Sequence, residues 1–241
     1  MRKLLIAAAL LATSVACGDT LYSRTTETGF RYNPAAAGTT TPADPARIAF
    51  DDVPIPVDRL GGDNKVEVTR ITVGIRRLAN APATDVMLYY STLTTDVTAP
   101  DTNLDLPATQ FAIASLAANG ASSTTQLVTI GNGVDPLFTA DLNETLFSGF
   151  GTFAIGVGFS NANNNNGWRI TSGADANANV FWLYDPGHTS QANDEGAYFF
   201  NNDNPPNPPA SFYITVEGTP VPEPSMLGCM AMASFALLRR R

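Results

Sequence analysis

Histidine and cysteine are nearly missing from this chain of 241 residues, which has one histidine, His188, and two cysteines, Cys17 and Cys229. Zinc or iron centres built from His and Cys ligands therefore have nothing to draw on, and a catalytic His base would have to be His188 itself. That residue stands in Asp185-Pro186-Gly187-His188-Thr189, which reads as a surface turn. Cys17 and Cys229 lie near opposite ends, so a folded domain between them has no disulfide and depends on packing. Also missing are a Gly-x-Ser-x-Gly elbow, a phosphate-binding glycine loop and a His-Glu-x-x-His helix. Positive charge is scarce, with 14 basic residues against 22 acidic ones and a net charge of −8. Such a chain repels polyanions, which excludes nucleic acid as a partner.

The two ends carry the patterned segments. Met1-Arg2-Lys3, an apolar stretch from Leu4 to Ala12 and the small residues Ser14-Val15-Ala16 have the order of a cleavable signal peptide over residues 1–16. Cleavage there leaves Cys17 first; a lipoprotein reading would put a lipid on it. At the other end, Val221-Pro222-Glu223-Pro224 precedes an apolar run from Met226 to Leu238 and a closing Arg239-Arg240-Arg241. That order resembles the PEP-CTERM sorting signal, the tail that exosortase systems read in Gram-negative bacteria that make exopolysaccharide. The resemblance covers residues 220–241 and implies export, processing near Pro-Glu-Pro, and a fate at the cell surface or in extracellular polymer. Its implied partners are exosortase and the secretion machinery, with membrane contact only through the tail. The apolar run has 13 residues, short of the roughly 20 that a spanning helix needs, so it reads as a short sorting segment. With both ends removed, 9 basic and 21 acidic residues remain, a net charge near −12.

Between the ends the periodicity is that of strands. Residues 17–45, rich in Thr, Ala, Pro and Gly, read as a flexible lead-in whose Phe30 and Tyr32 could dock on the domain. Arg47 to Val53 reads as a strand running into an acidic turn at Asp51-Asp52. Val66, Val68, Ile71, Val73 and Ile75 alternate with a change of phase at Thr69-Arg70, which predicts a long strand with a β-bulge. Asp85 to Ser91 is predicted to pair with it as an antiparallel neighbour. Gln110–Ile113, Gln126–Ile130 ending at Gly131-Asn132-Gly133, Trp168–Thr171, Asn179–Tyr184, Ala197–Asn201 and Ser211–Glu217 are further strands, and Leu137–Phe147 reads as a helical turn or crossover. Gly151–Ser160 alternates large Phe153, Ile155, Val157 and Phe159 with small Thr152, Ala154, Gly156 and Gly158, so its small face must receive a bulky neighbour. Roughly nine strands with turns between them predict an all-β antiparallel sandwich over residues 46–219, of jelly-roll type.

Candidate sites are few. Asp51 and Asp52 with Asp194 and Glu195 are the densest oxygen ligands for a hard cation such as Ca²⁺. Trp168, Trp182 and Tyr184 are the aromatics that could stack on a sugar, although tryptophans in strands are more often core. Three functional readings follow. The first is a non-enzymatic structural or adhesive module of the cell surface or matrix; the others are a carbohydrate-binding module and a secreted hydrolase using paired carboxylates. The first is preferred, because no residue pair singles itself out for catalysis.

Overall fold

The computed structural model describes residues 18–34, 47–60, 64–91, 109–147, 150–161, 163–172, 180–184, 196–199 and 210–221. Along the chain the strands are β1 (Asp19–Arg24), β2 (Glu27–Tyr32), β3 (Ile48–Pro56), β4 (Lys65–Arg77), β5 (Thr84–Ser91), β6 (Thr109–Leu116), β7 (Thr124–Gly131) and β8 (Phe138–Asp141). They continue as β9 (Asn143–Phe147), β10 (Phe150–Phe159), β11 (Asn166–Ser172), β12 (Val180–Tyr184), β13 (Gly196–Phe199), β14 (Ala210–Phe212) and β15 (Ile214–Pro220). Two antiparallel sheets hold them. One runs β1-β15-β4-β11-β14, with β2 on β11 and both β7 and β8 on β4; the other runs β13-β12-β3-β10-β5-β6, with β9 on β10. The sheets share one core, drawn from Val66, Val68, Ile71, Val73 and Ile75 of β4 on one side and Phe153, Ile155, Val157 and Phe159 of β10 on the other. This is the architecture of a β-sandwich.

β4 is the spine of its sheet, and the phase change in its sequence is a bulge. Glu217 faces Arg70 while the next residue, Gly218, faces Val68, leaving Thr69 as the extra residue. On the other side of β4 the same point separates β7, which begins pairing at Arg70, from β8, which ends at Val68. Gly131 closes this junction with φ +88°, and a Cβ there would lie 2.1 Å from the Thr69 carbonyl oxygen. Both conformation and space demand glycine. Gly131→Ala is expected to lower stability by about 2–4 kcal/mol, read as a fall in the urea midpoint at unchanged slope.

The small face of β10 receives the bulk that its alternation requires. Gly156 lies opposite Phe50, and a Cβ on it would stand 2.5 Å from the Phe50 ring.

Four expectations are corrected. The segment taken as a flexible lead-in contains β1, paired to β15, and β2, paired to β11. Buried Arg169 fastens β2 to the sheet through an ion pair with Glu27 at 2.6 Å, while Tyr32 packs on the core and Phe30 stays exposed. Short strands rich in Thr and Gly lack the apolar repeat that marks a strand in sequence; their pairing comes from the neighbours they meet. Second, β4 and β5 are not neighbours: the chain leaves one sheet after Arg77 and enters the other at Thr84. Arg77 organises that passage, its guanidinium donating to Asn166 Oδ1 at 2.9 Å, the Ala117 carbonyl at 2.5 Å and the Pro82 carbonyl at 2.9 Å. Third, Leu137–Phe147 holds no helical turn; it crosses between sheets as β8 and β9, on either side of buried Leu142. Fourth, Asp51-Asp52 is no surface turn, because β3 runs on through it to Pro56.

Candidate functional site

Strand β3 presents its two acids to opposite sides, since successive side chains alternate across a sheet. Asp51 shares the phase of Ala49, Val53 and Ile55 and enters the core between the sheets. Its Oδ2 accepts the Ser211 hydroxyl at 2.7 Å and the Phe212 backbone N–H at 2.8 Å, both from β14 in the facing sheet. The carboxylate thus clasps the two layers. Burial pushes the Asp51 carboxyl up to about 7, against the pull of the hydrogen bonds from Phe212 and Ser211, which favour the charged form. Burial, and then the charge of Asp51, push the Tyr22 hydroxyl upward as well.

Asp52 faces the other side of the second sheet. It is buried too, and its Oδ2 has no hydrogen-bond partner. Burial first, and the adjacent charge of Asp51 second, hold its carboxyl well above the usual carboxylate range. Ala154 lies opposite Asp52 and also opposite Ser91, which places Asp52, Ser91 and Thr152 on one face of β3, β5 and β10. Among the described residues Ser91 Oγ and Thr152 Oγ1 are buried without partners, and so is Trp182 Nε1 on neighbouring β12.

The cation constellation expected from the sequence is not assembled by β3. Asp51 and Asp52 diverge, and Asp51 is committed to Ser211 and Phe212. Asp194 and Glu195 lie outside the described residues, as does His188. Among the described residues no group of three or more His, Cys, Asp or Glu is placed to hold a metal.

The aromatic expectation is also corrected. Trp168 and Trp182 are both 0% exposed, so neither offers a face to a sugar. Trp168 stacks on Phe212 with ring centroids 4.1 Å apart and planes 7° apart, and its Nε1–H donates to the Tyr213 carbonyl at 3.0 Å. A strand tryptophan whose ring is packed and whose N–H is satisfied within the fold is a core residue. Tyr184 pairs through its backbone with Ile48 at the end of β12; its side chain lies outside the described residues.

Among the described residues two shallow grooves can be outlined. One, of about 450 Å³, is lined by Ala83, Thr84, Asp85, Ser115, Leu116 and Ser160, with the Ser115 hydroxyl donating to Asp85 Oδ1 at 2.6 Å. The other, of about 500 Å³, is lined by Asp19, Thr20, Leu21, Asp58, Arg59 and Pro220, and Arg59 is tied to the Thr20 carbonyl at 2.6 Å. Neither groove is lined by an aromatic side chain that could carry a sugar.

Periodicity put Arg76 or Arg77 on the polar side of its strand and Asn166 in a polar hairpin loop, and it missed the inward role of Asp51. The signal for Asp51 was present: it falls in phase with the apolar residues at 49, 53 and 55. Arg77 and Asn166 are 89 positions apart, and no local pattern joins them.

The strands and their core define an all-β, two-sheet antiparallel protein. Comparisons with family models, curated proteins and solved structures find no match to the chain.

Proposed function

We propose that this chain is an exported surface or matrix protein, sorted by an exosortase-type system, whose sandwich is a non-enzymatic structural or adhesive module. The single observation that carries this reading is the tripartite tail: Val221-Pro222-Glu223-Pro224, the apolar run 226–238 and Arg239-Arg240-Arg241. β15 ends at Pro220 and Val221 still donates its N–H to the Lys65 carbonyl at 3.0 Å, so in sequence Pro-Glu-Pro follows the last strand after a single intervening residue. No described helix is long and apolar enough to cross a membrane. Extracellular polysaccharide is the surrounding polymer that the tail implies.

The jelly-roll reading belongs to the same proposal. It is supported by nested pairing, in which β3 pairs with β12, β4 with β11 and β5 with β10. Burial of Trp168 and Trp182 removes two of the three aromatics on which the carbohydrate-binding alternative stood.

The test is expression of the full chain in a Gram-negative host with and without an exosortase, followed by mass spectrometry of each cell fraction. The exosortase host is expected to yield exported chain lacking the apolar run and terminal arginines, and replacement of Pro222, Glu223 and Pro224 by Ala is expected to leave the tail intact. A chain retained inside the cell with both ends whole in the exosortase host sinks the proposal.

A further inference from the structure

From Leu106 to Val134 the chain has 29 consecutive residues without Asp, Glu, Lys or Arg, although 15% of the whole chain is charged. At that average the stretch would hold about four charges. β6 and β7 both lie in it, and each is the outer strand of its sheet. Among the described residues β6 pairs only with β5, and β7 only with β4. An outer strand exposes a row of N–H and C=O groups that another strand can complete, and folded proteins guard such edges with charges, prolines or bulges.

The two edges differ in that protection. β6 carries an irregularity against β5 between Leu88 and Tyr89, where Phe111 has no opposite residue. β7 is regular over its whole length, from Arg70 opposite Gly131 to Arg77 opposite Thr124. It has no charge, no proline and no bulge. Thr124, Gln126, Leu127, Thr129 and Gly131 are exposed, Leu127 at 54%.

Electrostatics then selects the occupant. A strand bearing basic residues would find no acidic partner on β7, whereas in a second copy of this acidic chain β7 itself brings no charge to the pairing. The strand is also self-complementary. Antiparallel pairing about a twofold axis at Leu127 sets Leu127 opposite its copy and Thr125 opposite Thr129, each pair on one face of the joined sheet.

We propose that β7 is a self-association edge, on which a second copy lays its own β7 antiparallel to make one continuous sheet across two molecules. The inference stands on the fold and charge pattern and does not depend on export. A single pair of eight-residue strands buries less than the roughly 1,200–2,000 Å² of a stable interface, so the pairing is weak, with Kd on the order of 100 µM. Weak edges suit a protein held at high local concentration.

The experiment is sedimentation equilibrium of the full chain at low and high NaCl, with Leu127→Lys and Ile113→Lys alongside. Both residues are exposed, and a melting transition matching wild type in each variant shows that its fold is intact. A monomer–dimer equilibrium that tightens with salt is expected, because screening relieves like-charge repulsion. Leu127→Lys, which sets two like charges opposite each other, is expected to weaken it at least tenfold, while Ile113→Lys on β6 leaves it unchanged. A chain that stays monomeric at about 1 mM in both salts overturns the proposal, this being well above the expected Kd. So does association that Leu127→Lys leaves untouched, which would place it on another surface such as the apolar tail. Equal weakening by both variants also overturns it, in favour of a diffuse apolar contact.

Discussion

Between pH 3 and pH 8 the wild-type protein is expected to lose about 4 kcal/mol of stability relative to Asp51→Asn, measured by urea unfolding of both proteins across that range. The sign follows from proton binding. An exposed aspartate in the unfolded chain releases its proton near 3.8, whereas burial between the sheets holds the folded Asp51 carboxyl at about 7. Between those values the folded state keeps a proton that the unfolded state has lost, so stability is fully present below pH 3.8 and falls as pH rises toward 7. A gap of about three pH units at 1.36 kcal/mol each sets the magnitude. Asp52 is displaced in the same direction by burial and by Asp51, so the two acids titrate as a pair. Asparagine keeps the shape and an oxygen for the Phe212 N–H while removing the ionisable group. Taking the difference between the two proteins cancels what the rest of the chain contributes to the pH profile. Parallel pH profiles for the two proteins would dismiss the buried-acid account. A wild-type curve that rises against the variant would reverse its sign.

The second large effect is expected at Trp168. Trp168→Ala removes a fully buried indole from a stack on Phe212 and strips the Tyr213 carbonyl of its donor, which together are expected to cost about 3–5 kcal/mol. Trp168→Phe keeps a ring in the stack and is expected to cost about 1–2 kcal/mol, chiefly the lost hydrogen bond and volume. Thermal unfolding monitored by near-ultraviolet circular dichroism separates the two. The same variants test the core role against a sugar-binding one. A Trp168→Ala protein that melts like wild type but loses affinity for a glycan would return this residue to the surface and overturn its assignment to the core.

These effects belong to a fold that was only partly legible in the sequence. Alternation predicted β3, β4, β5, β7, β10 and β11 because each lays one apolar face on the core, and the lost phase near Thr69-Arg70 put the β4 bulge in the right place. β1, β2 and β8 were not legible. Their residues satisfy a neighbour's hydrogen bonds without carrying an apolar repeat, so only the partner strand makes them strands. The same limit explains the error over β4 and β5: periodicity says which residues face inward, never which sheet they face inward from. For the acids, density in sequence suggested a cation site at Asp51 and Asp52, but adjacency on a strand forces neighbours to opposite faces, and only packing determined that both faces are buried.

By itself the sequence determined the all-β class, the acidic net charge, the scarcity of His and Cys, and the tail motif on which the proposed destination rests. Composition and period are local properties and survive without coordinates. The tertiary structure alone decided that Asp51 clasps two sheets, that Trp168 and Trp182 are core, that Arg77 holds the passage between layers and that β7 stands at an edge no other described strand covers. Each of these depends on contacts between residues far apart in the chain, and burial, which sets their energies, exists only once those residues meet.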